Sequence, residues 1–95
     1  MPSTNTEESL ERWEQVREAA RGCGGAFKDG TIRKFPKYGE YTFEADWNPE
    51  FVKNDIFRTL SSNDVLCLME GGPWFFGGKV TSRSNSRVSG VVYTD

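Results

Sequence analysis

Residues 40–50, Glu-Tyr-Thr-Phe-Glu-Ala-Asp-Trp-Asn-Pro-Glu, carry the clearest pattern in the chain. Tyr41, Phe43, Ala45 and Trp47 alternate with Glu40, Thr42, Glu44 and Asp46. A period of two puts the first set on one face of a strand and the second on the other. The strand therefore buries one face and turns an acidic face outward. Asn48-Pro49-Glu50 then predicts a helix start: a capping side chain, a proline where no amide is needed, and an acid at the positive end of the dipole. Val52, Ile56 and Leu60 recur every four residues, and Phe51 and Phe57 widen the stripe. The helix is expected to run to Ser61-Ser62-Asn63-Asp64.

Upstream, Thr4-Asn5-Thr6-Glu7 spells a capping box and predicts a helix from about Asn5 to Arg21. Leu10, Trp13, Val16 and Ala20 form its apolar stripe, and Gly22-Cys23-Gly24-Gly25 ends it. Residues 1–4 are expected to be disordered. Asp29-Gly30, between Ala26-Phe27-Lys28 and Thr31-Ile32-Arg33, predicts a two-residue hairpin, and Pro36-Lys37-Tyr38-Gly39 a second turn. Downstream, Val65–Met69 is a continuous apolar run, short enough for a fully buried strand. Gly71-Gly72-Pro73 turns the chain into a strand over Trp74–Ser82, and Ser84-Asn85-Ser86 into a last one over Arg87–Thr94.

The expected architecture is a single small α+β domain over residues 1–95, in the order α-β-β-β-α-β-β-β. Two helices pack on a twisted, mostly antiparallel sheet of five to six strands. The expected core is Tyr41, Phe43, Trp47, Val52, Ile56, Leu60, Val65, Leu66 and Leu68.

Length and composition agree with one domain. A chain of 95 residues buries about 60–70% of its unfolded surface, enough for one core without staples. The formal charge of −2 gives no global pull toward nucleic acid or an anionic membrane. The two cysteines, Cys23 and Cys67, form no CxxC pair, and a disulfide between them has no support beyond the even count. Free thiols, the polar start and the lack of a long apolar run predict a cytoplasmic protein without a membrane span.

The chain has no histidine, which excludes Ser-His-Asp and Cys-His catalysis and histidine-held metals. Gly72 to Thr81 has the outline of a phosphate-binding loop, but Lys79 stands one position late and strand-like sequence follows where the helix should start. Glu40, Glu44 and Asp46 share a strand face without the further acids or Glu-x-Lys pattern of a two-metal nuclease. No catalytic residue, cofactor or metal is expected.

Three surfaces remain, one of them the acidic outer face of the first helix, with Glu7, Glu8, Glu11, Glu14 and Glu18. The acidic strand face of Glu40, Glu44 and Asp46 suits a basic protein partner. In the C-terminal hairpin, Trp74 and Phe75 offer rings while Arg83 and Arg87 bracket its loop. Asp64-Val65 through Gly72, followed by Trp74-Phe75-x-Gly-x-Lys-Val, resembles small SH3-like barrels; the resemblance implies a ligand groove lined by aromatics and covers only this part of the chain.

The expected function is that of a non-catalytic, protein-binding regulator, with a mobile-element-encoded inhibitor of a host protein as its form and a homodimer as one assembly. The alternative is a nucleic-acid-binding module that uses Arg83, Arg87 and the neighbouring rings.

Overall fold

The computed structural model describes residues 7–73, 75 and 77–94. Residues 4–6 and the Glu7 side chain of the expected capping box, and the rings of Trp74 and Phe76, lie outside the described part. Helix α1 spans Glu7–Gly22, followed by strands β1 (Arg33–Lys37) and β2 (Glu40–Asp46). A short helix α2 (Pro49–Val52), a 3-10 helix (Asp55–Thr59) and helix α3 (Ser62–Glu70) come next, then strands β3 (Gly78–Arg83) and β4 (Arg87–Tyr93).

Among the described residues the sheet has four strands in the order β1-β2-β4-β3, all antiparallel. Two hairpins thus lie side by side, joined by β2 and β4. The expected five to six strands and the order α-β-β-β-α-β-β-β are corrected at three places. Val65–Met69 belongs to α3, because Ser61 and Asp64 cap each other reciprocally and start a helix there. Asp29-Gly30 is a turn without a hairpin: only Gly30 has positive φ (+78°), whereas the predicted turn type needs it at both residues. Phe27 instead bridges Trp47, far along the chain. Of the strand expected over Trp74–Ser82 the described residues show Gly78–Arg83, with Phe75 and Gly77 outside it. With α3 helical and the sheet open, the likeness to SH3-like barrels does not hold.

The helix expected over residues 49–60 is broken. Asn48 caps α2 as predicted, accepting from the Glu50 amide at 3.1 Å. Asn54 then caps the 3-10 helix, accepting from the Ile56 amide at 2.9 Å. A second cap inside the run ends the first helix after one turn and changes its phase. Phe51, Phe57 and Leu60 are buried, while Val52 and Ile56 are only half-buried.

The β2 alternation is as read: Phe43, Ala45 and Trp47 are buried. With Val88 and Val92 of β4 they form one cluster with Val16 and Ala20 of α1 and Val65, Leu66 and Met69 of α3. Tyr41 and Leu68 pack at its margin. Trp47 is the aromatic centre: its ring stacks on Phe27 at 5.1 Å and meets Phe57 edge-on at 5.0 Å. Asn48 ties this centre to the end of α1, donating to the carbonyls of Cys23 (3.0 Å) and Gly25 (2.8 Å).

The helices cover one face of the sheet only. Val91 and Tyr93 of β4, on the other face, stay outside the buried cluster, and every residue of β1 is exposed. Among the described residues no helix is long and apolar enough to cross a membrane.

Candidate functional site

Cross-strand register builds the outer face row by row, since directly paired residues share a face. Lys37, Glu40 and Tyr93 form one row, and Phe35, Thr42, Val91 and Lys79 the next. Arg33, Glu44 and Ser89 form the third, and Asp46 and Arg87 the last. The second row carries a single charge, Lys79 at its β3 end, and lies between rows of mixed charge; its Phe35 is 51% exposed and Tyr93 of the first row 42%.

This geometry alters the acidic face read from the sequence. Glu40, Glu44 and Asp46 do share the outer face of β2, but each stands opposite a cation: Lys37, Arg33 and Arg87. Asp46 and Arg87 are in contact, Nε to Oδ1 at 3.2 Å. Three acids beside three cations make a face of mixed sign. The sequence hid this because the cations belong to neighbouring strands whose register only the fold reveals.

The structure separates the two loop arginines. Arg83 turns inward from β3. Its Nη1 donates to the Leu60 carbonyl at 2.9 Å and its Nη2 to the Phe57 carbonyl at 3.3 Å. Its guanidinium also lies over the rings of Trp47 and Phe57. Arg87 stays on the outer face beside Asp46. The turn between them is held by Ser84, whose Oγ accepts from the amides of Ser86 and Arg87 at 3.2 and 3.1 Å. Phe75 is half-buried against the core, and Trp74 lies outside the described residues.

A groove of about 430 Å³ separates α1 from α3, lined in part by Glu8, Arg12, Trp13, Thr59, Asp64 and Cys67. Its polar groups already serve each other. Asp64 Oδ2 accepts from Arg12 Nη2 at 2.9 Å and from the Ser61 amide at 2.9 Å, and Arg12 also reaches the Thr59 carbonyl at 3.0 Å. Burial, with the nearby Asp64 carboxylate, pushes the Cys67 thiol up to about 11. At neutral pH it is a protonated, weakly nucleophilic group. Both cysteines are free, and among the described residues no cluster of three or more Cys, Asp or Glu could hold a metal.

The sequence placed a turn at Pro36–Gly39 but passed over the charge along the hairpin of β1 and β2. Its tip is Tyr38-Gly39, and the Tyr38 side chain is fully exposed. Lys28, Arg33, Lys34 and Lys37 lie along this edge, with Ile32 and Phe35 exposed among them. The signal was present as four cations against one acid, Asp29, in residues 27–39. Comparison with known protein families, with curated proteins and with solved structures finds no match to this chain.

Proposed function

We propose that the protein is a non-catalytic binding protein that acts by laying the open face of its sheet on another protein. The observation that carries this reading is the outer face itself. Phe35, Thr42 and Val91, with Tyr93 in the neighbouring row, make an uncharged patch on a face whose margins carry charges of both signs, and no described helix covers it. Rings in a centre rimmed by charged groups are the usual anatomy of a protein–protein contact. Because the charges alternate in sign, they set register and exclude wrong partners more than they attract one sign of surface.

An inhibitor encoded by a mobile element, acting on a protein of its host in a reducing compartment, suits the small size and the two free thiols. A second copy of the chain is one assembly that such a face supports. The alternative, nucleic acid held by Arg83 and Arg87, has less support. Arg83 commits two of its five donors to the Leu60 and Phe57 carbonyls, and Arg87 faces Asp46.

The test is affinity capture from source cells with the wild type and with a Val91→Ser/Tyr93→Ser variant of unchanged circular dichroism. A protein held by the wild type and lost by the variant supports the reading. A protein held equally by both places the contact elsewhere.

A further inference from the structure

The twelve Lys and Arg side chains divide sharply by what they touch. Arg12, Arg17, Arg21, Lys53, Arg58 and Arg87 pair with carboxylates, and Arg83 is held by backbone carbonyls. Among the described residues the others, Lys28, Arg33, Lys34, Lys37 and Lys79, have no ion-pair partner. Four of these five follow one another along the β1 edge. Arg33 and Lys37 stand across from Glu44 and Glu40 without an ion-pair contact, so the donors of this edge stay free for an added anion, on a protein whose net charge is negative.

The surroundings of this edge are equally specific. β1 is exposed on both faces, so it buries almost nothing in return for being ordered. Arg33, Phe35 and Lys37 point to the outer face and Lys34 and Pro36 to the other, as their β2 partners require. Lys34 lies over the Tyr41 ring, its Nζ 5.0 Å from the centre. Pro36 has no amide to donate, and cations line the edge, so addition of a partner strand is disfavoured there. The carboxylates nearby are Glu40 and Glu44, which face Lys37 and Arg33 on the outer side, and Asp29 in the turn. Asp46 stands beside Lys28 and is itself paired with Arg87, and Glu70 accepts from the hydroxyl of the Tyr41 ring that Lys34 covers. An anion therefore meets least repulsion along the rim and at the tip.

We propose that this hairpin edge binds single-stranded nucleic acid, independently of the protein-binding face. Phosphates run along Lys28, Arg33, Lys34 and Lys37, and a base stacks on Tyr38. The edge follows β2 from Asp46 to the tip, about 24 Å at strand rise, which suits the shorter single-strand sites of about four nucleotides. A fully exposed ring beside cations distinguishes this surface from a simple acidic-protein contact, since every base offers a face to stack on. A duplex leaves no free base for the ring.

The test is fluorescence anisotropy with a labelled oligo(dT) or oligo(U) of about twenty nucleotides, between about 50 and 200 mM salt. Four phosphate contacts on a single strand give a log–log salt slope of about −3. Lys34→Glu/Lys37→Glu is expected to weaken binding at least about ten-fold and flatten the slope. Tyr38→Ala is expected to weaken binding about five-fold or more while leaving the slope unchanged. All these side chains are exposed, and an unchanged urea midpoint confirms that each variant is folded. Three results overturn the proposal: no binding at the lowest salt, equal binding by the charge-reversed variant, or equal binding by Tyr38→Ala. So does tighter binding to the matching duplex, or to polyglutamate, which assigns the edge to an acidic protein. The Val91→Ser/Tyr93→Ser variant is expected to bind the oligonucleotide normally, which separates this site from the protein-binding face.

Discussion

The Arg83 guanidinium carbon lies 5.9 Å from the centre of the Trp47 ring, while its nitrogens hold the carbonyls that close the 3-10 helix. One side chain therefore fastens the edge strand β3 to the aromatic centre and to the turn that leads into α3. Arg83→Ala is expected to cost about 2–3 kcal/mol, from two hydrogen bonds to a charged donor and the loss of ring contact. Lysine should recover only part of this, having no planar fork. Urea unfolding of the three proteins measures it, and a wild-type midpoint for Arg83→Ala would release the side chain for a partner.

Gly90 is expected to resist substitution. It pairs with Phe43, and a Cβ there would meet the Phe43 ring at 2.8 Å and the Lys79 carbonyl oxygen at 2.5 Å. Gly90→Ala should cost about 1–3 kcal/mol or more. Phe43→Leu in the same chain should return a measurable share, because a smaller side chain relieves one of the two contacts. Additive effects of the two changes would show that the ring does not govern the site.

Arg12 and Asp64 join α1 to the capping box of α3 across 52 positions of sequence. Arg12→Ala removes one partner of a largely buried carboxylate and should cost about 1–3 kcal/mol. A double-mutant cycle with Asp64→Ala should give a coupling of about 0.5 kcal/mol or more. No coupling would mean that the pair holds nothing together.

Cys67 makes stability depend on alkaline pH. Its folded thiol titrates near 11, above the value of about 8.5 for an unfolded thiol. Between these values the unfolded chain has lost a proton that the native chain keeps, so stability falls as pH rises through that window. Cys67→Ala should flatten the decline in urea midpoints between about pH 8.5 and 11. At neutral pH a thiol reagent should modify the less buried Cys23 well before Cys67. Equal rates would show that α3 opens readily.

The β2 strand and the Asn48 cap were legible because each has a local cause: alternation in one case, a single side chain in the other. Val65–Met69 was not, since a short apolar run has the same spelling in a buried strand and a buried helix. The deciding residues, Ser61 and Asp64, precede the run and were taken for a helix end. Asn54 was likewise read as one more helical position, although a second asparagine cap was there to be seen. At the surface, Glu40, Glu44 and Asp46 were correctly placed on one face. Their neutral setting depends on Arg33, Lys37 and Arg87, which only register brings opposite them. The turn at Pro36–Gly39 was read two residues too wide, because an outermost strand accommodates Pro36 without losing a ladder bond, and the cations along its edge went unweighed.

β4 comes last in the chain order of strands, yet it lies inside the sheet with neighbours on both sides. Each hairpin can close early through its own short connection. The seam between them joins residues 40–46 to residues 87–93, and its loop entropy must be spent before any of its contacts form. Assembly is therefore expected in two tempos, with quick local hairpins and helices followed by a slower docking of the two halves. Substitutions along the seam, at Ala45 or Val88, should slow refolding. Because every side chain of β1 is exposed, substitutions there remove little buried contact and should change stability, and with it the folding limb, only slightly. The hairpin edge that carries the free cations is thus open to sequence change without delaying the fold.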